Sequence, residues 1–119
     1  MRSLVERLRH IAERFGRIGT IDPEHPATVH HYEKPANTRA PYLVWAEDGE
    51  PGSFFGDSRK GEQAIGGTLA LYTLTEFAPL IDEAQDALAE LFGSSWVLED
   101  VLYEDETKLI HYAWRWEDS

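Results

Sequence analysis

The chain has 119 residues, 42% of them apolar and 12% aromatic, enough for one domain with a buried core and too few for two. Its 22 Asp and Glu against 11 Lys and Arg give a formal charge of −11, which argues against a general binder of nucleic acid or of anionic membranes. Cysteine is absent, so disulfide staples, thiolate zinc sites, iron–sulfur clusters and a cysteine nucleophile are excluded.

No run approaches the apolar length needed to span a bilayer, and residues 1–7 lack the apolar stretch of a secretory signal. The expectation is a soluble, acidic, single domain over 1–119, made inside the cell. Charge is uneven along it. Residues 1–40 hold seven basic and five acidic residues, whereas 41–119 hold four basic and seventeen acidic. Arg2, Arg7, Arg9, Arg14 and Arg17 all fall in a basic N-terminal segment, 1–19. Such a run usually forms a solvated helix face. The sharper alternative is a helix that docks on an acidic surface of the same fold or of a neighbouring copy.

Ser3 and Glu6 have the spacing of a capping box. Leu4, Leu8, Ile11, Ala12 and Phe15 follow at helical steps, and Gly16 or Gly19 provides a stop, so 3–16 is predicted helical. Ala27–Tyr32 reads as extended, and Pro41 leads into a second strand, Tyr42–Trp45. Glu47–Gln63, with glycines at 49, 52 and 56, reads as a long loop over 47–63, the kind that is functional or mobile. Phe54 and Phe55 within it form a contact surface or fold back onto the core.

Thr68–Thr73 is a predicted strand with Leu69 and Leu71 on one face. Phe77, Leu80, Ile81, Ala84, Leu88 and Leu91 then recur at steps of three and four, predicting a helix over 76–92 that Thr75 caps and Gly93 ends. Trp96–Tyr103 and Lys108–Trp116 form an antiparallel hairpin, with Ile110, Tyr112, Trp114 and Trp116 sharing one packed face. The predicted fold is α+β, a mostly antiparallel four- to five-stranded sheet with two helices packed against it.

Reactive constellations are weak. His31 and Glu33 share a face of an extended run, with His30, His111 or His25 as further ligands for a metal, but spacing of two residues is common by chance. Carboxylate pairs such as Glu47-Asp48 and Glu99-Asp100 follow from the acidic composition alone. Ser53, Ser58, Ser94 and Ser95 lack the G-x-S-x-G setting. Gly66-Gly67 is not part of a phosphate loop. No catalytic residue, metal or cofactor is expected, and the chain is not expected to be an enzyme.

In order, Pro41-Tyr42-Leu43-Val44-Trp45, Phe54-Phe55-Gly56-Asp57, Leu69-Ala70-Leu71-Tyr72-Thr73, the acidic amphipathic helix, Val101-Leu102-Tyr103-Glu104 and His111-Tyr112-Ala113-Trp114 form a familiar series. It resembles the tail terminators of tailed bacteriophages and prophages, the tail-completion proteins of head–tail joining. Members of that family run from an aromatic strand through a loop with F-x-A-D, a strand ending L-Y-T and a helix to a closing hairpin with Y-E. The resemblance covers 41–119. The third position of the loop motif is Gly56 here, and the longer, more basic N-terminal segment leaves the role of 1–40 open.

The resemblance implies a structural virion protein with an α+β fold. Six copies would form a ring that caps the tail tube and joins it to the head-tail connector. The ring would assemble in the host bacterial cytoplasm and then sit at the head-proximal end of the virion tail. It implies no sequence-specific nucleic-acid binding and no membrane partner. DNA would pass through a ring carrying −66 formal charges, six times −11, which repels phosphate. Candidate interface residues are Phe54, Phe55, Asp57, Arg59 and Lys60 in the loop, with Arg7 and Arg14 on the first helix. Competing readings are another head–tail connector or minor tail protein, a non-phage adaptor that binds a protein through 47–62, and a small metal enzyme using His30, His31, Glu33 and His111.

Overall fold

The computed structural model describes residues 3–48 and 64–118. Helix α1, Leu4–Gly16, begins where Ser3 Oγ accepts the Glu6 N–H at 3.1 Å, satisfying one of the orphan donors of the first turn. Gly16 is its last residue, and the chain turns through Gly19, whose φ of +79° is a left-handed value that favours glycine. Strands β1 (Thr28–His31), β2 (Tyr42–Asp48) and β3 (Ile65–Thr73) follow. Then come helix α2 (Pro79–Phe92) and the hairpin of β4 (Trp96–Tyr103) and β5 (Ile110–Asp118).

The strands form one sheet in the order β1-β2-β3-β5-β4. Only β1 and β2 pair in parallel; the other neighbours are antiparallel. This is the predicted α+β architecture. Register explains which side chains meet the helices. Val29, Leu43, Leu71, Tyr112 and Val101 make one row across the sheet, and His31, Trp45, Leu69, Trp114 and Leu98 make the next. Leu43, Leu71, Trp45, Leu69, Trp114 and Trp116 join Ile11 and Phe15 of α1 and Leu80, Ala84, Leu88 and Phe92 of α2 in a single core. The Phe92 and Trp116 rings stack at 4.7 Å, and the Phe15 ring meets Trp45 edge-on at 5.5 Å, both favourable aromatic geometries. Among the described residues the other sheet face carries no helix.

Three sequence expectations change. α2 starts at Pro79, not residue 76, and Thr75 does not cap it; the N-cap is Ala78, which makes no side-chain cap. Phe77, predicted as the first buried residue of that helix, is 87% exposed with φ of +57°. The cause is Pro79, which excludes helical backbone at the residue before it and serves as the first helical residue itself. β2 continues through Glu47 and Asp48, which belong to a strand rather than to the loop, because β3 begins at Ile65 and pairs Gly67 and Gly66 with them. Finally, β1 ends at His31 because Tyr32 takes φ of +72°, so Glu33 no longer shares a strand face with His31.

The basic helix docks on acids of its own chain. Arg7 Nε lies 3.0 Å from Asp118 Oδ2 and its guanidinium donates to the Asp118 carbonyl at 2.8 Å, while Arg14 Nε meets Glu90 Oε2 at 2.6 Å. Both arginines are largely sheltered. Arg7→Ala is expected to lower stability by about 1.5–3 kcal/mol, the range for hydrogen bonds to charged partners. Urea unfolding of Arg7→Ala, Asp118→Ala and the double variant checks this. Additive losses would mean that the pair is not coupled.

Candidate functional site

Of the residues expected to form an interface, Phe54, Phe55, Asp57, Arg59 and Lys60 lie outside the described residues. Arg7 and Arg14 hold α1 against Asp118 of β5 and Glu90 of α2. The histidines do not converge. His25 Nδ1 lies 2.7 Å from Asp22 Oδ2, on the rim of a cavity of about 160 Å³ walled by Pro26, Pro41, Pro79 and Leu80. His30 faces away from the helices and bonds Thr28 Oγ1 at 2.9 Å. His111 sits on the uncovered sheet face against Tyr72. Among the described residues no three His, Asp or Glu groups gather as metal ligands.

His31 has a different carboxylate partner from the one expected. Its ring is held between Tyr32 at 3.8 Å and Trp45 at 3.9 Å, and its Nε2 lies 2.7 Å from Glu47 Oε1. The Tyr32 hydroxyl donates to the other Glu47 oxygen. Burial works to raise the Glu47 pKa, but the hydrogen bonds from Tyr32 and His31 outweigh it and hold the carboxyl below its usual value. With its oxygens occupied and the rings stacked, the cluster fastens the end of β1 to β2. Sequence spacing missed Glu47 because it lies sixteen positions away and had been assigned to a loop.

The sheet face opposite the helices carries a second aromatic row. Tyr42 stacks on Tyr72 at 4.8 Å, Tyr72 stacks on His111 at 4.3 Å, and Lys34 Nζ sits 5.4 Å from the Tyr42 ring centroid. Burial depresses the His111 pKa against the pull of Asp100 and Glu104, so the neutral ring is the favoured form in the fold. Stability that depends on neutral His111 is full above the ordinary value of 6.5 and falls as pH drops through the lowered folded value. His111→Phe is expected to flatten this part of the acid-side decline. Urea midpoints for both proteins from about pH 7.5 to about pH 5 measure it, and parallel curves would contradict it. Beside the row, Arg115 forks onto Asp48, with Nη2 donating to Oδ1 at 3.1 Å. The adjacent Glu117 is buried, and among the described residues Glu117 Oε2 has no hydrogen-bond partner.

Among the described residues, β4 gathers a run of exposed apolar side chains. Val97, Leu98, Val101, Leu102 and Tyr103 are each between 43% and 59% exposed. They occupy both faces of an edge strand, because neighbouring strand residues point in opposite directions. A register shift between Leu98 and Asp100 bulges the strand at its acidic pair, Glu99-Asp100, a device that restrains indiscriminate edge pairing.

Comparison with known protein families gives no match. Comparison with curated protein sequences also gives none.

The chemistry of this surface is that of contact. It combines large apolar side chains, strand backbone that is unpaired among the described residues, and the acids Glu99, Asp100, Glu104, Asp105 and Glu106 around the hairpin. The sequence did hold a signal for it. Val97-Leu98 and Val101-Leu102 are consecutive apolar pairs, the pattern of a strand covered on both faces, yet here neither face of β4 is fully covered. No helix is long and apolar enough to cross a membrane among the described residues.

Proposed function

We propose that this chain is a structural virion subunit of a tailed phage or prophage, a tail terminator whose six copies close into a ring on the tail tube and present the surface that meets the head-tail connector. The observation that carries the reading is β4: five large apolar residues half-exposed on one edge strand are the mark of a surface that another protein covers. The order of the resemblance motifs supports the same reading. Tyr42–Trp45 lies on β2, Leu69–Thr73 ends β3, and Tyr103-Glu104 closes β4. A ring subunit needs a heterologous interface, two different patches that fit each other. The fold offers different patches at its two sheet edges. Arg7 and Arg14 are engaged by Asp118 and Glu90 of their own chain, and six copies at −11 each carry a strong negative charge that lets DNA pass without adhering.

The test is tube capping. Tail-tube protein polymerised in vitro with the chain present is expected to give tubes of arrested length with one end blocked. An unchanged length distribution would contradict the proposal. Phe54→Ala with Phe55→Ala is expected to leave the melting temperature unchanged and abolish capping. Destabilisation of about 3–5 kcal/mol would instead make these residues part of the core.

A further inference from the structure

Among the described residues the sheet ends in two free edges, β1 on one side and β4 on the other. β1, β2 and β5 run one way and β3 and β4 the other. When a second copy is set beside the first with its sheet in the same orientation, β4 of one copy meets β1 of the next in antiparallel sense, the stronger of the two pairings. Resting on the ring reading, we propose that copies join by strand addition between these opposite edges, so that one sheet runs continuously from subunit to subunit.

Charge favours this pairing over its competitors. β4 and its turn present Glu99, Asp100, Glu104, Asp105 and Glu106, all exposed, with Lys108 the sole cation of that stretch. Beyond β1, the exposed Lys34 and Arg39 face one acid, Glu33. Lys34 and Glu104 also lie at the same end of the sheet. Thr28, Tyr42, Tyr72, His111 and Leu102 form a single row across it; Lys34 sits on Tyr42 of that row, and Glu104 is two residues beyond Leu102. Pairing β4 with a second β4 would set acids against acids, which destabilises a strand pair.

Side chains fit as well. On the helix-covered face the row Val29–Leu43–Leu71–Tyr112–Val101 is apolar across all five strands. Continuing it places the exposed Val101 of one copy beside Val29 of the next. On the other face, Leu102 comes beside Thr28. Added strands gain main-chain hydrogen bonds for affinity and alternate side chains for specificity. An interface between opposite edges is heterologous, so it closes into a ring or continues as a filament.

The absence of cysteine makes a disulfide trap clean. A Thr28→Cys chain carrying a mass tag is mixed with an untagged Leu102→Cys chain and oxidised with oxidised glutathione. The positions are exposed, and neither is in the core. The expected product is the mixed 28–102 dimer, in excess over both homodimers. Lys34→Glu with Arg39→Glu in the tagged chain should reduce its yield about tenfold, the size of a lost charge complementarity. Glu104→Lys with Glu106→Lys in the other chain should restore it. A dominant 102–102 product would overturn the proposal in favour of two-fold edge pairing. No disulfide in a sample whose light-scattering mass is multimeric would overturn it while leaving the ring intact. No disulfide in a sample that stays monomeric would remove ring and strand addition together.

Discussion

Replacing Trp114 with alanine is expected to destabilise the fold by about 3–5 kcal/mol, the range for deleting a large buried aromatic side chain. Trp114 is fully buried on β5, between Leu69 of β3 and Leu98 of β4 in the cross-strand register. It is also tied to α2, since its Nε1 donates to Gln85 Oε1 at 3.2 Å. The alanine variant loses the apolar contacts, opens a cavity between sheet and helix, and strands the Gln85 carbonyl. Trp114→Phe keeps most of the volume and should cost less. Urea midpoints of the three proteins test this. A loss for Trp114→Ala within about 0.5 kcal/mol, the usual effect of a surface substitution, would contradict the placement of the core.

Gly67→Ala is expected to be as damaging, through the opposite fault. Gly67 faces Trp116 across the β3–β5 pair and Glu47 across the β2–β3 pair. A Cβ there would overlap both the Trp116 ring and the Ala46 carbonyl oxygen. The ring is locked against Phe92 and Phe15, and the carbonyl is backbone, so neither can yield cheaply. Overpacking of this kind costs about 1–3 kcal/mol and more where backbone must move. We expect at least about 3 kcal/mol. Trp116→Leu in the same chain should return part of it by making room, visible as non-additivity in a double-mutant cycle. Strict additivity would mean that Gly67 is small for some other reason.

Local signals in the sequence were enough for the elements whose causes are local. Ser3 with the Leu4, Leu8, Ile11, Phe15 spacing defined α1, and the Ile110–Trp116 alternation placed Trp114 and Trp116 in the core. The errors also have local physical causes. The apolar series from Phe77 read as helix because its spacing fits, but Pro79 overrules spacing at the residue before it. The strand predicted from Thr68 in fact begins at Ile65, and it runs through Gly67 because the Trp116 indole occupies the place of the missing side chain there.

The interaction surface was less legible. Which strand becomes an edge depends on sheet order, and the order β3-β5-β4 brings together segments that no short window compares. The same holds for Arg7 and Asp118, 111 positions apart, and for Arg14 and Glu90. The sequence read first as a solvated basic helix face, with docking on acids as the sharper alternative; the fold ties Arg7 and Arg14 to acids of their own chain.

The central claim is that this chain builds a ring of itself. Its most direct test is the solution mass by light scattering over a wide concentration range, at low and high salt. The account predicts a species of about 82 kDa, six times the 13.6 kDa chain, whose population falls as salt screens the charge pairing between edges. A mass that stays at 13.6 kDa at every concentration and salt level would contradict it.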